Sequence, residues 1–261
     1  MKIHDSIITA YLGGRPSLEY SRHWIYERII SGTYMFDKPP PERVAEVKEC
    51  YEQVLRACEH FTLRNEDLVH KIFENVPSIM ESANVLLTVG LPWPYAALMR
   101  EHDNSDFIVF DLIHFSNNIL KGADVSKMVN NLLSHELIHV IINEKYPSGD
   151  FSYLETLDYI SFHEGFAHLL SYKENIGHYV PNDAYKARFM SANEKLALAI
   201  NETNPELQKL CLRESNTGDY WDKFGAMSSM LYLMKHVDSL KEIYEAGWRG
   251  YTKTLIDFAW E

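Results

Sequence analysis

Cysteine is scarce in this sequence of 261 residues. It has only Cys50, Cys58 and Cys211, an odd number at spacings that do not form a disulfide framework. Cys50 and Cys58 fall in a stretch of helical apolar spacing, where eight residues correspond to about 12 Å along the helix axis. That distance is too long for a disulfide bond. We therefore expect three free thiols, as is usual in a reducing compartment.

Long hydrophobic runs are also missing. No stretch reaches the roughly 18 uninterrupted apolar residues that predict a transmembrane helix. The first residues, MKIHDSIITAYLGGRPSLEY, lack the apolar core of a secretory signal peptide. We therefore expect no membrane span and, by default, a cytoplasmic location.

Positive charge is sparse and dispersed. The chain has 25 Lys and Arg against 37 Asp and Glu, a formal net charge of −12, and no stretch concentrates the basic residues. A protein that binds duplex nucleic acid needs a basic face that displaces counterions from the phosphates. This composition excludes nucleic acid as the expected partner. Hydrophobic residues make up 46% of the chain, with 16 Tyr and 12 Phe, which indicates a folded globular protein.

The spacing of apolar residues predicts a chain dominated by helices with two strands near its middle. A stiff connector at 38–41 (KPPP) separates the first two predicted helices, and we expect the third to stop before Pro77. Asp124 or Ser126 could cap the helix that follows the strands, and Gly177 would end the next one. The predicted helices are 17–30, 42–60, 66–74, 125–143, 152–175, 182–201, 205–213, 218–237 and 239–247, and the predicted strands are 83–89 and 106–113.

These elements predict an α+β fold that is mostly helical, with a small mixed sheet. We expect a helical N-terminal region over residues 1–80, packed on a catalytic domain over residues 81–261. One continuous domain is the alternative, since 261 residues suit a single large core.

The motif that carries chemistry is His-Glu-Leu-Ile-His at residues 135–139. His135 and His139 are four residues apart and therefore lie on one face of a helix, where both imidazoles can bind one Zn²⁺. Glu136 follows the first histidine and can take a proton from a zinc-bound water. We therefore assign the metal to the histidines and general-base catalysis to Glu136.

The surroundings of the motif support this interpretation. Residues 132–142 (LLSHELIHVII) contain no charged residue besides Glu136, which indicates a buried helix. A buried glutamate is costly unless a cation or hydrogen bonds compensate it. The alternative, a core helix whose two histidines have structural partners, leaves Glu136 without an assigned partner.

A zinc site of this kind needs a third protein ligand and an open position. Glu164 is the candidate, because it falls on a largely apolar face of the predicted helix 152–175. Gly165 and Ala167 are small, so we expect this helix to approach the motif helix closely. Four neighbours stay open as rival third ligands, and His168 is four residues from Glu164, so it could instead orient that carboxylate. The rivals are His163, His168, Asp158 and Glu155.

The pattern His135-Glu136-x-x-His139 followed by Glu164-Gly165-x-Ala167 resembles the gluzincin group of zinc metallopeptidases. It looks most like the bacterial families described as predicted Zn-dependent proteases, over about residues 83–226. The resemblance implies a zincin-like fold with an active-site helix and a following helix that bears the third ligand. It also implies a Zn²⁺ cofactor, a peptide or protein substrate, and a strand at 106–112 that lies at the sheet edge and pairs with the substrate. The late helix departs from the group's frequent Gly-Tyr pair, because Ala226 follows Gly225 here.

The expected function is zinc-dependent hydrolysis of peptide bonds, and three other functions stay open. The first is a non-catalytic zinc-binding relative that acts as a regulatory or interaction protein. The second is a di-iron helical protein, which requires a second Glu-x-x-His that this sequence lacks. The third is a metal-free helical interaction protein. Hydrolysis also needs a donor for the oxyanion, and the candidates are Tyr179, His178 and Tyr220.

Overall fold

A computed structural model describes residues 1–27, 34–93, 95–172, 176 and 180–260. The described part is α+β and mostly helical with one small mixed sheet, which confirms the expected fold class at that level. The strands are β1 (Lys2–His4), β2 (Asn84–Thr88), β3 (Ala97–His102) and β4 (Ser105–Asp111). The helices are α1 (Ser6–Leu12), α2 (Val44–Glu59), α3 (Glu66–Ile72), α4 (Val76–Ser82), α5 (Leu112–Leu120), α6 (Val125–Lys145), α7 (Tyr153–Tyr172), α8 (Asp183–Ala199), α9 (Pro205–Asn216), α10 (Phe224–Lys235), α11 (Leu240–Ala246) and α12 (Tyr251–Asp257).

The chain forms two compact units. The first comprises residues 1–63 and 77–137, and the second comprises residues 64–76 and 138–261. These units do not follow the expected division after residue 80, because β1 pairs with β2 and so ties the N-terminal residues to the sheet. The assignment of residues 1–80 and 81–261 to separate functional regions stays a prediction.

The first unit is built on the four-stranded sheet, in the order β1-β2-β4-β3. β1 and β4 pair parallel to β2, and β3 pairs antiparallel to β4. Both predicted strands are confirmed as β2 and β4, whose apolar side chains are buried except for the half-buried Phe107. Short, continuous apolar runs are typical of strands that are covered on both faces.

The strand expected at the sheet edge is instead internal. β4 lies between β2 and β3, so both of its edges already form main-chain hydrogen bonds and it cannot pair with a substrate. β3 was not predicted, because its residues ALMREH contain no β-branched side chain. Asp103 and Asn104 join β3 to β4 with φ of 49° and 56°, the backbone that a two-residue hairpin turn requires.

Asp111 ends β4 two residues earlier than expected. Its carboxylate accepts hydrogen bonds from the backbone N–H groups of Ile113 (2.9 Å) and His114 (3.2 Å), and so caps α5. It also accepts one from the N–H of Leu91 at 2.7 Å. Complete burial raises the pKa of Asp111 to about 6, although these hydrogen bonds and His114 act in the opposite direction.

The predicted helix 17–30 is wrong over the residues that the structure describes. Short 3-10 turns at Ser17–Glu19 and Trp24–Tyr26 take its place, and residues 28–33 lie outside the description. The buried Tyr26 donates a hydrogen bond to the carbonyl of Val89 at 2.6 Å, and its oxygen lies 3.0 Å from the Thr88 hydroxyl. This anchor to the end of β2 outweighs the helical pattern of the segment.

The first two helices after the KPPP connector are as expected, but Pro77 has a different role from the expected one. The predicted helix 42–60 is confirmed as α2, and the helix at 66–74 is confirmed as α3. Pro77 was expected to end a helix. It lies instead in the first turn of α4, a helix that was not predicted. Proline is tolerated there, because the N–H groups in the first turn of a helix have no acceptor within the helix. Proline, which lacks an N–H, therefore loses no hydrogen bond at this position.

The second unit packs α7 against α9, α10 and α12, and α8 against α10. Its core includes a set of aromatic rings around Phe162 and Phe166, which are fully buried. Phe162 packs edge-on to Phe166 at 5.1 Å, and Phe73 does the same to Tyr244 at 4.8 Å. The helices predicted at 182–201, 205–213, 218–237 and 239–247 are confirmed as α8 to α11, whereas α12 was missed.

Among the described residues, no helix is both long and apolar enough to cross a bilayer.

Candidate metal centre

Helix α6 carries the motif. Asp124 caps it, since its carboxylate accepts a hydrogen bond from the N–H of Lys127 at 3.1 Å, which selects Asp124 over Ser126. Residues 133–142 are buried or half-buried throughout, as expected for a core helix. His135 and His139 are therefore one turn apart on a helix that the surrounding protein holds in place. Glu136 is only 7% exposed.

Helix α7 carries Glu164, the candidate for the third metal ligand. A reciprocal pair of hydrogen bonds defines the start of the helix: the N–H of Ser152 donates to the Glu155 carboxylate at 3.1 Å, and the N–H of Glu155 donates to the Ser152 hydroxyl at 3.5 Å. Glu164 lies in the second half, with its side chain 17% exposed. The expected stop at Gly177 lies outside the described residues.

Glu164 contacts a histidine through each of its oxygens. Its Oε1 lies 3.6 Å from Nε2 of His139, and its Oε2 lies 3.5 Å from Nε2 of His168. One nitrogen or oxygen each from His135, Glu164 and His168 also lie within 4.8 Å of one another. We call these four residues the donor group: His135, His139, Glu164 and His168.

The spacing within the donor group fits a shared cation. Two ligands that bind one tetrahedral Zn²⁺ at 2.0–2.1 Å lie about 3.3–3.4 Å apart. The contacts of 3.6 Å and 3.5 Å to Glu164 are close to that value, and both exceed the 2.7–2.9 Å typical of a charge-assisted hydrogen bond. Imidazole and carboxylate are ligands that zinc accepts readily. The donor group can therefore hold a metal ion with a small inward movement of its side chains.

Burial gives a second reason to expect a cation. Glu136 and His168 are buried, and the side chains of His139 and Glu164 are 11% and 17% exposed. Two carboxylates in such a place carry a large desolvation cost, which a bound dication would offset.

Two of the rival ligands have other roles. Asp158 is buried and accepts hydrogen bonds from the backbone N–H groups of Gly250 and Thr252, both at 2.8 Å, and from the Thr252 hydroxyl at 2.5 Å. It therefore holds the start of α12. Glu155 belongs to the capping pair of α7 and lies near Arg249 at the surface.

His163 is the third rival, and it lies beside the donor group. Its ring stacks on that of His139 at 6.1 Å between centroids, and Tyr159 packs against it at 3.9 Å. Burial, and then the neighbouring His139, lower the pKa of His163 to about 3, although Glu164 acts in the opposite direction. Its Nε2 is buried and has no hydrogen-bond partner among the described residues. His163 is therefore a neutral ring that packs against the donor group.

The small residues of α7 serve a different contact from the one expected. A Cβ on Gly165 would overlap with the Ser229 side chain of α10, so this glycine allows α10, and not the motif helix, to come close. On the other side of the same contact, a Cβ on Gly225 would lie 2.9 Å from the Ser161 hydroxyl oxygen. Gly225 thus has a packing role, which the sequence analysis did not identify. Alternating glycine and serine on two helices was the signal that could have revealed it.

Tyr220 is the one proposed oxyanion donor that falls within the described residues. Its ring packs edge-on to that of His168 at 5.3 Å, and its hydroxyl lies 3.4 Å from the sulfur of Met230. His178 and Tyr179 lie outside the described residues. Tyr220 is thus next to the donor group.

Comparison with known proteins identifies no relative of this chain. No family model matches the chain, and neither do curated proteins or solved structures. The case for a function therefore depends on the geometry of the donor group and on the chemistry of its side chains.

Proposed function

We propose that this chain is a zinc-dependent hydrolase that cleaves peptide bonds, with the metal bound by His135, His139 and Glu164. The observation that carries the proposal is the 3.6 Å contact between Nε2 of His139 and Oε1 of Glu164. It joins the helix of the His-Glu-x-x-His motif to the separate helix that bears the acidic candidate. A zincin-like fold and gluzincin-type chemistry are part of the same proposal.

A zinc ion held by these residues would lower the pKa of a bound water towards 7 and would polarise a carbonyl group. Glu136 follows His135 directly on α6 and is buried, so it can accept a proton from the attacking water. It then delivers that proton to the nitrogen of the leaving amine. Burial keeps competing water away and strengthens the attraction between Glu136 and a developing positive charge.

The side chains around the donor group have supporting roles in this proposal. His163 and Tyr159 fill the space beside His139 and restrict the motion of its ring. Tyr220 packs against His168, and its phenolic O–H, which donates to the sulfur of Met230 in this structure, would have to turn in order to donate a hydrogen bond to an oxyanion.

A second candidate is a metal-binding protein without catalysis. The donor group contains four side chains with suitable atoms, and four protein ligands are typical of closed, structural zinc sites. Glu136 favours the catalytic alternative, because it directly follows a proposed ligand on α6 and is buried, as a general base beside a metal would be.

The test is metal analysis of the purified protein together with a peptide-library cleavage assay, run with and without a chelator. The proposal predicts about one zinc ion per chain and cleavage that stops on chelation and returns with Zn²⁺. Bound metal without cleavage would support the non-catalytic candidate. Iron in place of zinc, or no metal, would contradict the proposal.

A further inference from the structure

We infer that His168 is a direct ligand of the metal, and not a residue that only orients Glu164. This inference rests on the proposed metal site and extends it by one ligand, so that the water would bind as a fifth ligand, a coordination number that catalytic zinc can reach. His168 has no place in the His-Glu-x-x-His motif and comes from α7, four residues after Glu164. Its Nε2 faces the opposite carboxylate oxygen from the one that His139 faces.

His168 belongs to a compact group of possible metal ligands. Among the described residues, the set of three whose ligand atoms all lie within 4.8 Å of one another is His135, Glu164 and His168. His139 approaches Glu164 but does not belong to this set. The geometry therefore gives His168 at least as good a claim to the metal as the second histidine of the motif.

The distance between His168 and Glu164 also favours direct binding of the metal by His168. A residue that orients a carboxylate donates a hydrogen bond to it, and a charge-assisted bond of this kind spans about 2.7–2.9 Å. Nε2 of His168 lies 3.5 Å from Oε2 of Glu164, which is close to the roughly 3.3–3.4 Å between two ligands of one tetrahedral zinc. The separation thus suits two groups that share an ion better than a donor and its acceptor.

His168 is held firmly by the residues that surround it. It is 6% exposed, lies on α7 in the core of the second unit, and has the ring of Tyr220 edge-on against it. Its ring therefore has little freedom to turn towards solvent. A ligand from a rigid helix, packed by an aromatic ring, is pre-organised for binding.

A direct ligand can be recognised with the intact wild-type chain. We would load ¹⁵N-histidine-labelled protein with ¹¹³Cd²⁺, which replaces zinc, and record the imidazole ¹⁵N spectrum. A ring nitrogen bonded to ¹¹³Cd shows a one-bond scalar coupling, whereas a ring that only donates a hydrogen bond to Glu164 shows none. The resonance of His168 is assigned by its loss in His168→Gln, and that of His163 by its loss in His163→Gln.

The inference predicts ¹¹³Cd coupling on His168 and none on His163, its equally buried neighbour on the same helix. It also predicts that His168→Gln weakens Zn²⁺ binding by more than the roughly 10–100-fold typical of residues that only orient a ligand. His163→Gln is the matched comparison and should weaken binding by no more than that range, because His163 packs against His139 and does not itself bind the metal.

The outcomes separate this inference from the proposed function. If Cd²⁺ binds and couples to His135 and His139 but not to His168, then His168 is not a ligand and the inference is overturned, while the proposed metal site stands. If the wild-type chain binds neither Cd²⁺ nor Zn²⁺, the proposed function itself fails.

Discussion

Nε2 of His139 lies 3.6 Å from Oε1 of Glu164, although the two residues belong to different helices and are far apart in the chain. His139 belongs to the motif on α6, and Glu164 to the middle of α7. Since both side chains are largely buried, the contact brings together groups that water solvates only in part. A cation bound between these two side chains would therefore stabilise the folded protein.

Replacement of Glu136 tests the proposed general base. Glu136→Gln keeps the size of the side chain but cannot accept a proton, so turnover should fall by about 10²–10⁴-fold. Metal content should stay at the wild-type level, because Glu136 is not one of the proposed ligands. Peptide cleavage rates and elemental analysis of the same preparation give both values.

The matched control is Glu144→Gln, an exposed glutamate on the same helix. It should cleave peptides at the wild-type rate. Full activity in Glu136→Gln would show that another residue activates the water.

Gly165 should not tolerate a methyl group. Alanine is normally more favourable than glycine in a helix by about 1 kcal/mol. Here its Cβ would overlap with Ser229, so Gly165→Ala should lower the free energy of unfolding by about 1–3 kcal/mol in spite of that preference. Denaturant titration measures the loss.

A second substitution shows whether the overlap is the cause. Removal of the Ser229 side chain gives the new methyl group room, so Gly165→Ala combined with Ser229→Gly should cost less than the sum of the two single changes. Strict additivity of the three values would contradict the packing explanation.

Much of the fold could be predicted because its signals are local. Helices α2, α6 and α7 follow from apolar periodicity, and β2 and β4 from short apolar runs. The failures have non-local causes. β3 exists because it pairs with β4, and its own residues favour no strand.

The candidate site divides in the same way. The spacing of His135 and His139 on one helix is a local property, and Glu164 could be proposed from its apolar helix face. The sequence could not predict which neighbours of Glu164 lie beside it in the site. That depends on the orientation of α7 about its own axis in the folded protein. The contacts that set this rotation, such as Gly165 with Ser229, are between residues distant in the chain.

Replacement of Asp158 tests whether this buried carboxylate has the structural role described above or binds the metal. Asp158→Ala would leave the backbone N–H groups of Gly250 and Thr252 without their buried acceptor, so the free energy of unfolding should fall by about 2–3 kcal/mol. The metal content of the folded variant should not change. Asp150→Ala, an exposed aspartate, is the control and should do neither. Loss of metal in Asp158→Ala at full helicity would return Asp158 to the list of ligands.

The three thiols should differ in reactivity. Cys50 and Cys58 are buried in α2, and burial raises the pKa of each to about 12, so the reactive thiolate is rare at neutral pH. Cys211 is partly exposed. A thiol reagent added to the native protein should therefore label Cys211 first and the other two only on unfolding, which mass spectrometry of peptides can follow. Equal labelling rates would contradict the described packing of α2.

The most direct measurement is the zinc content of the purified wild-type chain beside that of Glu164→Ala, with Glu155→Ala as the control on the same helix. The proposed site predicts about one ion per chain in wild type and in the control, and a large loss in Glu164→Ala, because the carboxylate that faces two histidines is gone. Undiminished, stoichiometric metal in Glu164→Ala, or none in the wild-type chain, would contradict it.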